Sequence, residues 1–106
     1  MVKFLGDAPL IRVLDFLIEN GIFDYTKTEI AENAKISRAS LYNIWPTLER
    51  YKLVTISRKI GNTTLYKLNK KNPVVQKLIE LDLKISREFA EAFALERAAA
   101  QKPTPA

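Results

Sequence analysis

The chain has 106 residues, 47% hydrophobic and 27% charged, with a formal net charge of +5, a size and balance that fit one small globular domain. It contains no cysteine and no histidine, which excludes disulfides and thiol redox sensing and removes the commonest metal ligand and the usual general base at neutral pH. No apolar run approaches the roughly 18 residues of a membrane span, and the opening MVKFLGDAP is too short and polar for a signal peptide, so a cytoplasmic location is expected.

In chain order, Asp7 followed by Ala8 and Pro9 predicts a helix start: a short acceptor side chain as cap, then proline in the first turn, where no N–H is missed. Leu10, Val13, Leu14, Leu17 and Ile18 follow at helical spacing. Asn20 and Gly21 end this helix, with the glycine expected in the left-handed conformation. Residues 22–25 are short and β-leaning and predict a brief strand or extended link. Thr26 and Glu29 form a capping box that opens a second helix over residues 27 to about 33, with Ile30 and Ala31 inward.

A tight turn at residues 34–36 leads to Ser37, the cap of a third helix over residues 38 to about 51. Its inward stripe is Leu41, Ile44, Trp45 and Leu48. Pro46 inside this helix denies a hydrogen bond to the Tyr42 carbonyl, which predicts a kink or a loosened turn. Residues 53–58 and 63–68 are β-rich and flank Lys59, Ile60, Gly61 and Asn62, the pattern of a hairpin. Asn72 and Pro73 cap a long last helix from residue 74 to about 94 or beyond. The fold class expected is mainly α with a small β-hairpin (α+β). Its organisation is a domain over residues 1–71, a helix over 72–96 and a disordered tail over 97–106.

Charge is distributed unevenly over this plan. Residues 35–71 hold nine lysines or arginines and one acid, Glu49, and so carry +8, whereas the remainder sums to −3. Such a split within one small domain is the footprint of a polyanion-binding face.

Residues 26–69 resemble the winged helix-turn-helix of MarR/ArsR-like transcriptional regulators, including small archaeal ones. The features that carry the resemblance are the capped helix with Ile30 and Ala31, the turn ending in Ile36 and Ser37, and the helix from Leu41 to Leu48. Leu53 and Val54 follow, and a strand closes with Leu65, Tyr66, Lys67 and Leu68. Two residues depart from the pattern. Lys52 stands where glycine or asparagine usually follows the helix, which predicts a strained or differently shaped exit, and Pro46 is uncommon in such a helix.

The resemblance implies a double-stranded DNA partner, with the third helix in the major groove. Arg38, Ser40, Tyr42 and Asn43 lie in its first turns, with Thr47 and Arg50 further along. Arginine can read guanine and asparagine adenine through paired hydrogen bonds. Ser37 and the helix N-terminus would take a phosphate. Arg58, Lys59, Asn62 and Thr63 would form a wing on the backbone or minor groove, setting register and affinity rather than sequence choice.

The last helix is too apolar on one side for so small a core. Val74 or Val75, Leu78, Leu81 or Asp82, Ile85, Phe89, Ala92 and Phe93 recur at the spacing of a two-helix seam. A homodimer through Val75, Leu78, Asp82, Ile85, Phe89, Ala92 and Phe93 is therefore expected, its two recognition helices about 34 Å apart on a palindrome. Folding of this helix back onto its own domain is the alternative. No cofactor, metal or membrane partner is expected, and an enzyme is disfavoured because the acids are scattered and no glycine-rich phosphate loop is present. Competing functions are a winged-helix protein–protein adaptor in transcription machinery and a plasmid-partition protein that binds centromere repeats.

Overall fold

A computed structural model describes residues 1–101. Five helices and one hairpin follow in the order α1 (Val2–Leu5), α2 (Pro9–Glu19), α3 (Lys27–Ala34), α4 (Arg38–Arg50), β1 (Val54–Ile60), β2 (Thr63–Leu68) and α5 (Pro73–Gln101). The core lies where α2, α3, α4, the hairpin and the start of α5 meet. Leu17, Ile30, Leu41, Leu48, Val13 and Val75 are its fully buried side chains. Burial of each large aliphatic chain contributes about 1.5–3 kcal/mol.

The one-turn helix α1 has no counterpart in the sequence pattern. It carries no side-chain cap and is held by tertiary contacts instead. The Met1 ammonium pairs with Asp15 of α2 at 3.4 Å and with Asp82 of α5 at 3.2 Å, and Phe4 stacks on Phe89 at 5.6 Å. Burial by itself would lower the pKa of that amine. The hydrogen bond to Asp82 and the charges of Asp15 and Asp82 outweigh it, so the amine stays above its ordinary value.

α2 begins as expected at Pro9, but Ala8 occupies the cap position without a side-chain bond. Asp7 turns instead to Arg12, whose Nε donates to the Asp7 carbonyl at 3.0 Å and whose Nη2 donates to Oδ2 at 3.3 Å. The helix also ends differently. Asn20 closes it with both its backbone N–H and its Nδ2 donating to the Phe16 carbonyl. Gly21 is not in the left-handed region. What it supplies is room, since a Cβ there would lie 3.0 Å from Lys70 Cε and 3.3 Å from the Leu17 carbonyl. The extended link that follows joins the sheet at one point: Tyr25 and Tyr66 exchange backbone hydrogen bonds of 2.8 and 2.7 Å.

The capping box of α3 is complete, with Glu29 N–H donating to Thr26 Oγ1 and Thr26 N–H to Glu29 Oε1. Both helices of the helix-turn-helix then end in the same way. Lys35 has φ 59° and Lys52 has φ 54°, both left-handed. In the first turn Lys35 N–H donates to Glu32 and Ile36 N–H to Ala31. In the second, Lys52 N–H donates to Glu49 and Leu53 N–H to Leu48. This is the paired bonding of a Schellman motif, with the apolar contact between Leu48 and Leu53 that usually accompanies it.

A lysine in this conformation costs about 1–2 kcal/mol relative to the right-handed form, partly offset by its favourable charge at a helix C-terminus. Lys52→Gly is therefore expected to stabilise the fold by up to about 1 kcal/mol, read as a rise in melting temperature. An unchanged or lower midpoint would show that the exit is not strained.

α4 stays continuous through Pro46. Pro46 and Tyr42 are both exposed, so solvent can take the carbonyl that the proline leaves without a helical donor. Strand β1 is longer than expected, because Lys59 and Ile60 pair with Thr64 and Thr63 rather than forming the turn. The connection is thus two residues, Gly61 and Asn62. Positive φ at Gly61 alone is the pattern of a type II′ hairpin turn. A bulge at Ser57, between the pairs Ile56–Tyr66 and Arg58–Leu65, re-aims the outer half of the strand.

One side chain joins α4 to α5. Asn72 Oδ1 accepts the N–H of Val74 at 2.8 Å and caps α5. Its Nδ2 donates to the carbonyls of Tyr51 at 2.8 Å and Lys52 at 3.0 Å. Asn69 Nδ2 reaches the Lys52 carbonyl as well, at 2.9 Å. α5 continues through Gln101, past the expected limit near residue 96, as its alanine-rich end favours. Of the expected disordered tail, residues 97–101 are helical and residues 102–106 lie outside the described residues.

Candidate nucleic-acid interface

α4 presents two faces. Leu41, Trp45 and Leu48 are buried, and Ile44 packs against them. Tyr42 and Asn43 are exposed on the side turned away from the core, with Tyr42 at 61%, and Arg38 is exposed in the first turn, at the N-terminal end of the inward line. None of these three makes a side-chain hydrogen bond or ion pair among the described residues. At the helix start, Ser37 Oγ accepts the N–H of Ser40 and donates to Ser40 Oγ, both at 3.0 Å. The N–H groups of Arg38 and Ala39 remain open, which is the local arrangement that suits an anion.

Other residues expected on this surface are placed less simply. Thr47 is half-buried. Arg50 is exposed but lies 5.7 Å from the Tyr51 ring centre, a cation–π distance.

The wing extends beside this helix. Lys59, Asn62 and Thr63 are exposed at its tip. Arg58 is not free in the same way. It forks onto Asp24, with Nε donating to Oδ2 at 2.9 Å and Nη2 to Oδ1 at 3.4 Å. The Ser57 hydroxyl and then Arg58 hold the Asp24 carboxyl below its ordinary range. Arg58 thus ties the wing to the link before α3, a role its sequence position did not reveal. The partners are 34 residues apart, and no local pattern announces them.

The residues expected in a dimer seam divide. Val75 is fully buried in the domain core and Ile85 is 3% exposed, so neither is open to a partner. Leu78 packs partly against the core. Asp82 holds the Met1 ammonium. Phe93 is half-buried beneath Lys3, 5.4 Å from its ring centre, while Phe89 and Ala92 remain exposed. The short α1 thus covers part of the stripe that the sequence left without a neighbour.

Among the described residues no cluster of acidic side chains is placed to hold a metal ion, and no helix is long and apolar enough to cross a membrane. The capped helix pair, the exposed face of α4 and the two-stranded wing define a winged helix-turn-helix fold.

Solved structures share it. A MarR family regulator from Neisseria meningitidis superposes with a TM-score of 0.61 at 20% identity, over 93% of this chain and 80% of that one. Sso10a-2, a DNA-binding protein from Sulfolobus solfataricus, gives 0.53 at 15% identity, over 89% of this chain and 97% of its own. Lactococcus lactis ZitR in complex with DNA gives 0.56 at 20% identity, covering 80% and 60%. No family model matches the sequence, and no curated protein matches it. The likeness is therefore one of fold.

Proposed function

We propose that the chain is a sequence-specific double-stranded DNA-binding transcriptional regulator that acts as a homodimer, not an enzyme. The observation that carries this reading is the outward face of α4. Tyr42 and Asn43 stand there without side-chain partners among the described residues, with Arg38 exposed in the first turn, beside an exposed basic wing tip and within a segment of charge +8. A helix of this kind fits the major groove, where asparagine and arginine discriminate bases. Lys59, Asn62 and Thr63 suit the backbone or minor groove. The DNA complex of a protein of like fold supports the partner class.

The dimer is supported by the part of α5 that its own domain leaves open. Two series spaced by seven run along the helix: Val74, Leu81, Glu88 and Leu95, and Leu78, Ile85, Ala92 and Ala99. Val74, Leu81 and Leu95 are 58%, 39% and 65% exposed, an apolar line at coiled-coil spacing with one acid in it. This line, with Phe89 and Ala92, takes the place of the stripe that included Val75 and Ile85.

Fluorescence anisotropy of a labelled duplex from upstream of the gene, against a random duplex over a salt series, tests the reading. Tighter binding to the upstream DNA is expected, with a steep salt slope for both. Lys59→Ala should weaken both duplexes alike and lower the slope by about 1. Asn43→Ala should cost roughly 1–3 kcal/mol on the preferred site and little on random DNA. Equal losses on both duplexes would remove Asn43 from base reading, and no binding by the unsubstituted protein would sink the proposal.

A further inference from the structure

Lys27 is the first residue of α3, a place where the helix dipole disfavours a cation. Its ammonium, however, lies 4.8 Å from the centre of the Trp45 ring and 5.6 Å from that of Tyr66, and the residue is half-buried. The two rings meet edge to face, with centroids 4.8 Å apart and planes at 76°.

Each ring is held from behind. Trp45 Nε1–H donates to Glu49 Oε1 one turn further along α4. Tyr66 exchanges backbone bonds with Tyr25, whose ring packs on Phe16 at 4.8 Å. A single ammonium therefore joins α3, α4 and wing strand β2.

We propose that Lys27 is a positioning residue: its cation–π contacts with Trp45 and Tyr66 fix the wing relative to the recognition helix, and its charge is not given to a phosphate. The proposal rests on the DNA-binding reading above. Partial burial strengthens the attraction between an ammonium and an aromatic face relative to an open surface. Trp45 belongs to the inward side of α4 and Tyr66 to the strand that carries the wing. Loss of the cation between them would loosen one element against the other while leaving the capping box of α3 intact, because that box uses only Thr26 and Glu29.

Two substitutions separate this role from a phosphate contact. Lys27→Met keeps the length of the stem and removes the charge, whereas Lys27→Arg restores a cation over the rings. Trp45 is the only tryptophan and reports on its surroundings without a label. In Lys27→Met its emission maximum should shift, the Tyr66 amide should exchange faster with deuterium, and affinity for a labelled duplex should fall roughly threefold to tenfold at an unchanged salt slope. Lys27→Arg should return all three toward the unsubstituted values.

A slope lowered by about 1 with emission and exchange unchanged would make Lys27 a phosphate contact and overturn the proposal. A Lys27→Met protein indistinguishable in emission and exchange would overturn it too. If the unsubstituted protein bound no duplex, the DNA-binding reading would fail by itself, and emission and exchange would still decide whether Lys27 holds the wing.

Discussion

A chain carrying Leu81→Glu together with Leu95→Glu is expected to be monomeric and to bind its preferred duplex about a hundredfold or more weakly than the unsubstituted protein. The expectation follows from effective concentration: once one half of a dimer is docked on half a palindrome, the second half binds as an intramolecular event, which contributes about 10²–10⁴ in affinity. Leu81 and Leu95 are exposed, so two carboxylates there leave the domain core untouched and act on the partner alone. Removing the helix would not make the same test. Val75 completes the core, and Leu78 and Ile79 pack against it, so truncation at residue 74 would unfold the domain along with the seam. Light scattering on both proteins decides the matter. A single-chain mass for the unsubstituted protein would end the dimer, and a doubly substituted chain that stays dimeric would move the seam to another face.

Asn72→Ala is expected to lower stability by about 2 kcal/mol, roughly a 10 °C fall in melting temperature for a domain of this size. Two separate losses combine. The first turn of α5 loses the acceptor for the Val74 N–H, which costs about 1 kcal/mol for a typical cap. The carbonyls of Tyr51 and Lys52 lose donors at 2.8 and 3.0 Å, with a further cost of about 1 kcal/mol because Asn69 still serves Lys52. Asn72→Ser divides the two: it keeps a capping oxygen but cannot reach the carbonyls, and should recover about half of the loss. A serine variant no better than alanine would mean that the link to α4, and not the cap, carries the effect. Thermal unfolding of the three proteins side by side makes the comparison.

Much of this architecture was legible in the sequence because local chemistry specifies it. Thr26 and Glu29, Ser37, and Asn72 before Pro73 are caps that act within a few residues of themselves, and the stripe from Leu41 to Leu48 declares its buried side by spacing alone. Lys52 was recognisable as out of place because a residue after a helix end is commonly left-handed, although Lys35, in the same conformation, was not. The parts that were not legible depend on distant partners. α1 exists because Met1 finds Asp15 and Asp82, and without them a four-residue helix has no reason to form.

Asp24 claims Arg58 across 34 residues, a contact invisible to any local pattern. The stripe of α5 could be read as apolar, but its division between the chain's own core and an outside partner could not. Val75 and Ile85 lie on the same broad face as Leu81, and only packing separates them.

The length of α5 also governs how the molecule moves through solvent. The chain spans 56 × 31 × 22 Å with a radius of gyration of 16.0 Å, against about 13 Å for a compact chain of this length. An elongated particle meets more friction than a sphere of equal mass, so even a single copy would leave a sizing column early and tumble end over end more slowly than about its long axis. Amides along α5 and amides in the wing would then relax at different rates in solution, according to how each N–H lies relative to that axis. Elution volume reports this shape before it reports mass.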